Sequence, residues 1–291
     1  MQTVSILVTG ATGTLGRLVV ARLRAIDRPV RALSRSDRTS EDGTEWIAGD
    51  LETGRGIDAA VEGVETIIHC AGNPTGDAET TQTLVRAAAR AGAPHIVFIS
   101  VVGADDVPLA GRVDRAMFGY FGSKRGAEQV VTASGLPWTT VRATQFHELL
   151  FTVAEQMSKL PIVPVAAGFR FQPVAAEEVA MRLVELALGP PSGLVPDVAG
   201  PRLYGMRELI RAYLRASGKH RLILPIPLPG RAARAFRAGV NLAPERAVGR
   251  RTWEEFLVAR LGREDRSVRS VSQKPPRGRP GVAAGRSKSS S

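Results

Sequence analysis

A tyrosine and a lysine lie four residues apart in the segment Tyr120-Phe-Gly-Ser-Lys124. Side chains at positions i and i+4 of a helix lie on one face, so the phenol and the ammonium are expected to be neighbours. A nearby positive charge favours the phenolate and lowers the pKa of the tyrosine toward a range useful for proton transfer. The pair predicts a general acid/base, Tyr120, that is activated by Lys124. The alternative interpretation is an exposed helical pair without chemistry.

Three glycines follow the first apolar segment, in the order Gly10-Ala-Thr-Gly13-Thr-Leu-Gly16. A strand, a glycine turn, a helix and a second strand within the first 33 residues are typical of dinucleotide-binding sites. Glycine permits the tight turn and the close approach of a pyrophosphate, and the helix N-terminus supplies N–H donors. The predicted cofactor contacts of this turn are Gly10, Thr12, Gly13, Thr14, Leu15 and Gly16.

The end of the second predicted strand indicates which dinucleotide binds. An NAD site usually has Asp or Glu about 20 residues beyond the glycines, where it accepts from the ribose 2′-OH. This chain has Ser34-Arg35-Ser36 there, with Arg38 close behind. A guanidinium suits a 2′-phosphate, so we expect Ser34, Arg35 and Arg38 to contact the cofactor and NADP(H) to be preferred over NAD(H). Asp37 is the competing acid, although it lies beyond the expected position.

Two further strand ends are expected to complete the cofactor pocket. Asp50 can accept a hydrogen bond from the adenine amino group, and Leu51 can pack on the ring. Ala71 and Gly72 are small residues at the end of a strand, where the cofactor must pass close to the backbone. For each pair the alternative interpretation is a plain turn at a strand end.

Alternating apolar segments and helical patterns must position these residues. Short β-branched runs predict strands, and between them apolar residues recur at the spacing of helices. This alternation favours βαβ units and an α/β fold with a doubly wound parallel sheet. The predicted strands are 3–9, 29–33, 64–70, 94–100 and 137–143, and the predicted helices between them are 15–25, 80–92 and 113–134.

The regular alternation of predicted strands and helices ends near residue 150, where prolines divide the chain into short elements. We expect residues 1–150 to form a Rossmann-like NAD(P)-binding domain. Residues 151–262 are expected to form a smaller, mostly helical cap that packs on the sheet, with helices at 175–189, 205–217, 229–238 and 253–261. Residues 263–291 are rich in Ser, Pro, Gly and Arg, a composition that predicts a disordered basic tail.

Composition and charge exclude several classes of protein. The 291 residues carry a formal net charge of +11, and residues 202–262 alone hold 13 Lys and Arg against 4 Asp and Glu. The single cysteine, Cys70, excludes an intramolecular disulfide framework, and no metal site is expected. No window has the roughly 18 consecutive apolar residues of a membrane span. We expect a cytoplasmic protein without a specific nucleic-acid partner, because the basic tail lacks aromatic residues for stacking.

Several segments together resemble a known family over about residues 3–262. They are GATGTLGR, SRS, GDL, FISVVGAD, YFGSKRGAEQVV and SGLPWTTVRATQFHE. They are similar to the atypical, NmrA-like branch of the short-chain dehydrogenase/reductase superfamily. The resemblance implies a Rossmann domain with a cap that shapes the substrate site. It also implies that Tyr120 is the general acid/base, that Lys124 activates it and binds the cofactor ribose, and that Gln145 and Phe146 lie against the nicotinamide. His147, next in the chain, is a candidate substrate contact.

One departure from that superfamily concerns a hydroxyl. Its better-known members use a Ser or Thr just after the fifth strand to polarise the substrate oxygen. Here the available hydroxyl belongs to Ser100, the last residue of the predicted strand, and Val101 and Val102 follow it. Either Ser100 reaches the substrate or the usual hydroxyl is missing.

Three functions are compatible with these patterns. The first is an NADP(H)-dependent oxidoreductase that reduces a small hydrophobic carbonyl, quinone or enone. The second is a non-catalytic NADP(H)-binding regulator or scaffold, which the missing hydroxyl would explain. The third, less favoured, is a nucleotide-sugar epimerase or dehydratase, for which the basic segment 202–262 would suit a diphosphate. The expected partner is a small-molecule substrate, and the protein is expected to be a monomer or a dimer.

Overall fold

A parallel sheet of seven strands is the centre of the computed structural model, which describes residues 5–39, 43–73 and 75–272. In chain order the strands are β1 (Ser5–Thr9), β2 (Val30–Ser34), β3 (Thr44–Ala48), β4 (Val64–His69), β5 (His95–Val101), β6 (Trp138–Ala143), β7 (Ile162–Ala166), β8 (Arg170–Phe171), β9 (Gly193–Leu194), β10 (Tyr204–Gly205) and β11 (Leu222–Ile226). The helices are α1 (Thr14–Arg24), α2 (Ile57–Val61), α3 (Asp77–Arg90), α4 (Arg112–Thr132), α5 (His147–Met157), α6 (Ala176–Leu188), α7 (Met206–Ala216), α8 (Arg231–Ala238) and α9 (Trp253–Ser272).

The strand order of the large sheet is β3-β2-β1-β4-β5-β6-β9, and every pair is parallel. All seven residues of β5 are buried, as expected for a strand covered on both faces. Helices α1 and α6 cover one face, and α2, α3 and α4 cover the other. This arrangement confirms the predicted doubly wound α/β fold. The strand order reverses between β1 and β4, and sheets of this type bind ligands beyond the carboxyl ends of the strands at that point.

The cap is built on two small strand pairs and the helices around them. Strands β7 and β11 are parallel, whereas β8 and β10 are antiparallel. Helices α5, α7 and α9 enclose a core that contains the fully buried Trp253 and the nearly fully buried Tyr213. A second apolar cluster, which includes Phe118 and Phe236, joins α8 to α4. The cap is therefore anchored on the same long helix that carries Tyr120 and Lys124.

The cap and the sheet domain are not separated at residue 150. After β7 and β8, the chain returns to the sheet, where α6 packs on α1 and β9 pairs with β6. The predicted segment 151–262 therefore includes two elements that complete the sheet domain. They belong there because the apolar face of α6, which includes Val179 and Leu183, covers the large sheet.

The last helix extends beyond its predicted end. Helix α9 continues to Ser272, so residues 263–272 of the predicted disordered tail 263–291 are helical. Residues 273–291 lie outside the described part of the chain. Among the described helices, none has both the length and the apolar character needed to cross a bilayer.

Candidate functional site

The glycine turn between β1 and α1 is built by close backbone contacts. Gly10 has φ +64°, and a Cβ there would lie 2.6 Å from the amide nitrogen of Ala71. A Cβ on Gly16 would lie 2.1 Å from the carbonyl oxygen of Gly10, which also accepts a hydrogen bond of 2.9 Å from the amide of Gly13. Side chains at these positions would push the turn apart, so glycine is required for the geometry.

Helix α1 begins at this turn without a side-chain cap. Its N-cap residue is Gly13, no side-chain cap hydrogen bond forms among the described residues, and the first turn holds no acidic residue. The first N–H groups and the positive end of the helix dipole are thus available to an anion. This is the donor set that a pyrophosphate requires.

A cleft of about 630 Å³ runs from the glycine turn along the carboxyl ends of the strands. Most of the predicted cofactor contacts line it together. They are Gly10, Thr12, Gly13, Leu15, Ser34, Arg35, Asp50, Leu51, Ala71, Gly72, Lys124 and Phe146. Elements far apart in the chain therefore meet in one groove with the shape and the donors to hold a dinucleotide.

Four predicted cofactor contacts are not among the described residues that line this cleft: Thr14, Gly16, Arg38 and Gln145. Thr14 is exposed in the first turn of α1, and Gly16 permits helix and strand to pack. The guanidinium of Arg38 lies 5.0 Å from the centroid of the Trp46 ring, and Arg38 is not among the described residues that line the cleft. Arg35 does line it, which leaves Arg35 as the cation that faces the cleft at the end of β2.

Gln145 was also predicted against the cofactor, but it lines a second, apolar cavity instead. Its amide donates to the carbonyl of Asn241 at 3.2 Å, and its Oε1 accepts from the amide of Gln172 at 3.5 Å. The residue is only 9% exposed. Gln145 thus joins the end of β6 to the cap, and Phe146 is the residue of this segment that reaches both cavities.

Lys124 is held in place by a buried carboxylate that the sequence analysis did not identify. Its Nζ lies 3.1 Å from Asp77 Oδ2 and donates to the carbonyl of Ile99 at 3.3 Å. The side chains of Lys124 and Asp77 are only 4% and 2% exposed. Asp77 is fixed in turn by the backbone amide of Asn73, which donates to its Oδ1. The ammonium therefore lies at the inner wall of the cleft with its position defined from two sides.

Tyr120 stands where the cleft meets the apolar cavity, and it lines both. The Lys124 Nζ lies 6.0 Å from the centroid of its ring. Burial raises the pKa of the Tyr120 phenol, the charge of Lys124 opposes this, and Asp77 reinforces it. Lys124 therefore acts on the pKa of Tyr120 in the predicted direction, but burial outweighs its charge and the pKa lies above its usual value. A phenol that stays protonated is the form that donates a proton.

The apolar cavity has a volume of about 370 Å³ and lies between the sheet domain and the cap. Ser100 lines it, and the Ser100 hydroxyl is buried without a hydrogen-bond partner among the described residues. A buried hydroxyl without a partner is costly, so it is available to a ligand oxygen. Aromatic residues of α4 and the cap form much of the remaining wall: Phe118, Phe121, Phe169, Phe171 and Phe236.

His147 does not contact this cavity, which corrects the prediction that it touches substrate. Its side chain is fully buried in the cap core. The ring stacks on Phe256 and Trp253, with centroid distances of 5.0 and 6.0 Å. Burial, and secondarily the charge of Arg251, lowers the pKa of His147 to about 4, so the ring is neutral near pH 7. Although His147 follows Phe146 in sequence, the first turn of α5 directs its side chain away from the site.

Comparison with known proteins identifies the family of this fold and cleft. Residues 10–187, more than half of the chain, match the family described as NAD(P)H-binding. The chain belongs to this family. Among curated relatives, a (4-alkanoyl-5-oxo-2,5-dihydrofuran-3-yl)methyl phosphate reductase from Streptomyces griseus is 30% identical over 221 residues, with 74% of each chain covered. A ceramide reductase from Caulobacter vibrioides is 29% identical over 246 residues, covering 77% of this chain and 74% of the relative.

Solved structures agree on the fold of this NAD(P)H-binding protein. An NADPH-dependent quinone oxidoreductase from Escherichia coli, solved with NADPH, superposes with a TM-score of 0.73 at 19% identity. The match covers 88% of this chain and 99% of the other. The resemblance to the dehydrogenase/reductase superfamily is confirmed at the level of an NAD(P)-binding Rossmann fold. Its assignment to the NmrA-like branch stays a prediction.

Proposed function

We propose that this protein is an NADP(H)-dependent oxidoreductase that reduces a hydrophobic carbonyl, quinone or enone. The observation that carries the proposal is the junction at Tyr120 and Phe146, which line both the cofactor cleft and the apolar cavity. A cofactor in the cleft and a substrate in the cavity would meet there. The volume of about 370 Å³ is within the usual range for small-molecule sites.

The residues at the junction have separate roles in this proposal. NADPH supplies the hydride for the electrophilic carbon of the substrate when it is bound. Ser100 donates a hydrogen bond to the substrate oxygen, and Tyr120 donates the proton that neutralises the developing negative charge on that oxygen. Lys124 holds the cofactor ribose and stabilises the phenolate that remains on Tyr120. The aromatic walls exclude water and bind the apolar part of the substrate.

The preference for NADP(H) is supported by Arg35. Its guanidinium side chain is exposed and lines the cleft at the end of β2. Asp37, the competing acid, is not among the described residues that line the cleft. A guanidinium at this place would form bidentate hydrogen bonds with a 2′-phosphate, and a 2′-hydroxyl offers no comparable interaction.

The substrate class is supported by the cavity and by the names of relatives. One relative is named as the reductase of a methyl phosphate whose ring carries an alkanoyl group, and another is named as a ceramide reductase. An apolar cavity walled by six phenylalanines suits an alkyl or aromatic group of this kind. The same wall disfavours the nucleotide-sugar alternative, because most hydroxyls of a sugar ring would be buried against apolar side chains.

The experiment is the oxidation of NADPH with a panel of alkyl-substituted enones, quinones and aldehydes. We expect Tyr120→Phe to lower kcat by about 10²- to 10⁴-fold, the range for loss of a general acid, and Ser100→Ala by about 10- to 100-fold. Tyr213→Phe is the matched control, because Tyr213 is buried in the cap core away from both cavities.

Two results would contradict the proposal. Unchanged turnover in Tyr120→Phe would exclude its role as proton donor. Tight binding of NADP(H) without turnover of any compound in the panel would favour the regulator or scaffold instead.

A further inference from the structure

The cap carries a cationic cleft on the face of α7 opposite the apolar cavity. The cleft encloses about 1120 Å³. None of the described residues that line it is acidic. Six of the lining residues are Lys or Arg: Lys159, Arg207, Arg211, Arg215, Lys219 and Arg221. This concentration of charge is not used by the proposed oxidoreductase site, which lies across the helix.

Helix α7 separates the two surfaces by its own periodicity. Arg207, Arg211 and Arg215 are spaced by four residues, so they form one stripe on the helix, and all three are exposed. Leu209 and Ile210 lie on the other side, where they line the apolar cavity. One face of α7 thus contributes to the substrate cavity and the other presents positive charge to solvent.

An exposed apolar row continues from the cationic cleft along β11. Leu222, Leu224 and Ile226 are spaced by two residues, so they lie on one face of the strand. They are 65%, 49% and 39% exposed. On the neighbouring strand, Ile162 pairs with Leu222 and is 48% exposed, which widens the row. Soluble surfaces rarely present several large aliphatic side chains side by side.

The row connects the two cavities of the cap. At its start, Leu222 lines the cationic cleft. At its end, Ile226 pairs with Ala166, and both Ala166 and Leu228 line the apolar cavity. A partner that covers the row would therefore touch the positive cleft at one end and lie beside the wall of the apolar cavity at the other.

We propose that this surface binds the anionic face of a lipid bilayer. We call it the cap docking surface and define it by Arg207, Arg211 and Arg215 together with the apolar row from Leu222 to Ile226. Arginines attract anionic headgroups, while exposed aliphatic side chains enter the boundary between headgroups and acyl chains. Charge complementarity alone would also suit nucleic acid. However, none of the described residues lining the cleft is Phe, Tyr or Trp, so the large stacking platforms typical of nucleic-acid sites are lacking there, and the apolar row would stay uncovered.

Vesicle flotation tests this proposal with the full chain. The vesicles are phosphatidylcholine alone, or phosphatidylcholine and phosphatidylserine at about three to one, at low and high salt. We expect binding to the anionic vesicles only, and weaker binding at high salt. Replacing Arg207, Arg211 and Arg215 together by Gln should weaken binding about 10- to 100-fold, from the usual contribution of each basic residue near an anionic membrane.

The matched control removes the same number of charges from the sheet domain. Arg22, Arg28 and Arg86 are exposed there, and replacing all three by Gln should leave binding within about twofold. If the Arg207, Arg211 and Arg215 variant floats like the unaltered protein, other basic segments bind the vesicles and the proposal is overturned.

A second variant distinguishes binding to a bilayer from binding of a soluble phosphate ligand. The double variant Leu222→Ser, Leu224→Ser keeps every positive charge of the cap docking surface. Both positions are exposed, so we expect the variant to fold, and circular dichroism and thermal denaturation check this. We expect it to weaken flotation several-fold. Unchanged flotation, together with competition by soluble glycerophosphoserine, would mean that the cleft binds phosphate groups and would overturn the bilayer proposal. Because flotation does not measure turnover, its failure would leave the proposed reaction untouched.

Discussion

The buried ion pair between Asp77 and Lys124 makes a quantitative prediction about stability. Asp77→Asn keeps the shape of the side chain but removes its charge. The remaining carbonyl can still accept from the amide of Asn73, which leaves the new NH₂ group facing the ammonium 3.1 Å away. Two donors would then face each other, and among the described residues the carbonyl of Ile99 would be the acceptor left to Lys124.

The magnitude follows from the separation and the burial. Two unit charges at 3.1 Å attract by about 5 kcal/mol at an effective dielectric of ~20. Removing one partner of a buried pair typically costs about 3–5 kcal/mol, because the other charge stays buried without compensation. We therefore expect Asp77→Asn to lower the free energy of unfolding by about 3–5 kcal/mol. Asp58→Asn is the matched control: its pair with Arg90 is largely exposed and should contribute less than about 1 kcal/mol.

A double-mutant cycle measured by urea denaturation without nucleotide isolates the interaction. Asp77→Asn, Lys124→Met and the double variant are compared with the unaltered protein. The double variant should be more stable than the sum of the single effects predicts, with a coupling of about 2–4 kcal/mol. A coupling below about 1 kcal/mol would refute the reasoning, since it would mean that water in the cleft screens the pair. In turnover, Asp77→Asn should shift the alkaline limb of the pH profile to lower pH, because Asp77 raises the pKa of Tyr120.

Three further predictions concern the turn, the cofactor and pH. Arg35→Ala should weaken NADPH binding by about 10- to 100-fold and leave NADH binding nearly unchanged, as calorimetric titration would reveal. Gly16→Ala should destabilise the fold and abolish nucleotide binding, because its Cβ would lie 2.1 Å from the Gly10 carbonyl oxygen. The control is Gly119→Ala, whose Cβ would have no described atom within 4 Å and which should change neither stability nor binding. His147, whose pKa falls from 6.5 to about 4, takes up a proton more readily in the unfolded chain. Its contribution to stability should fall by about 1.3 kcal/mol from pH 7.5 to 5.5, and denaturation of His147→Phe should lack that loss.

The cofactor cleft was largely predictable because its signals are local. The glycine turn depends on backbone contacts within a few residues, and the positions after β2, β3 and β4 follow from parallel strands that end at one edge. Ser100 was predicted as the last residue of its strand, and it lies one residue before the end of β5 at Val101. Whether its hydroxyl faces a ligand depends on its surroundings, and the hydroxyl is buried at the apolar cavity without a hydrogen-bond partner in the part of the chain that the structure describes.

Contacts between distant segments were not predictable in the same way. Asp77 is 47 residues from Lys124, and the two meet because α3 and α4 pack side by side. The phenylalanines that the cap contributes to the apolar cavity, such as Phe169 and Phe236, had no pattern to mark them as cavity residues instead of core. The error at His147 has a geometric cause: adjacent residues at a helix start point in different directions, so proximity to Phe146 in the chain says little about the side chain.

Helix α4 contributes side chains to both the cofactor cleft and the apolar cavity. Lys124 faces the cofactor cleft, Phe118 and Phe121 face the apolar cavity, and Tyr120 stands between them. The cleft residues are fixed by the sheet, whose backbone contacts leave little freedom. Much of the remaining cavity wall comes from the cap, where one apolar side chain can replace another with a modest change in volume. Substitutions at Phe236 should therefore alter the choice of substrate and leave nucleotide affinity unchanged.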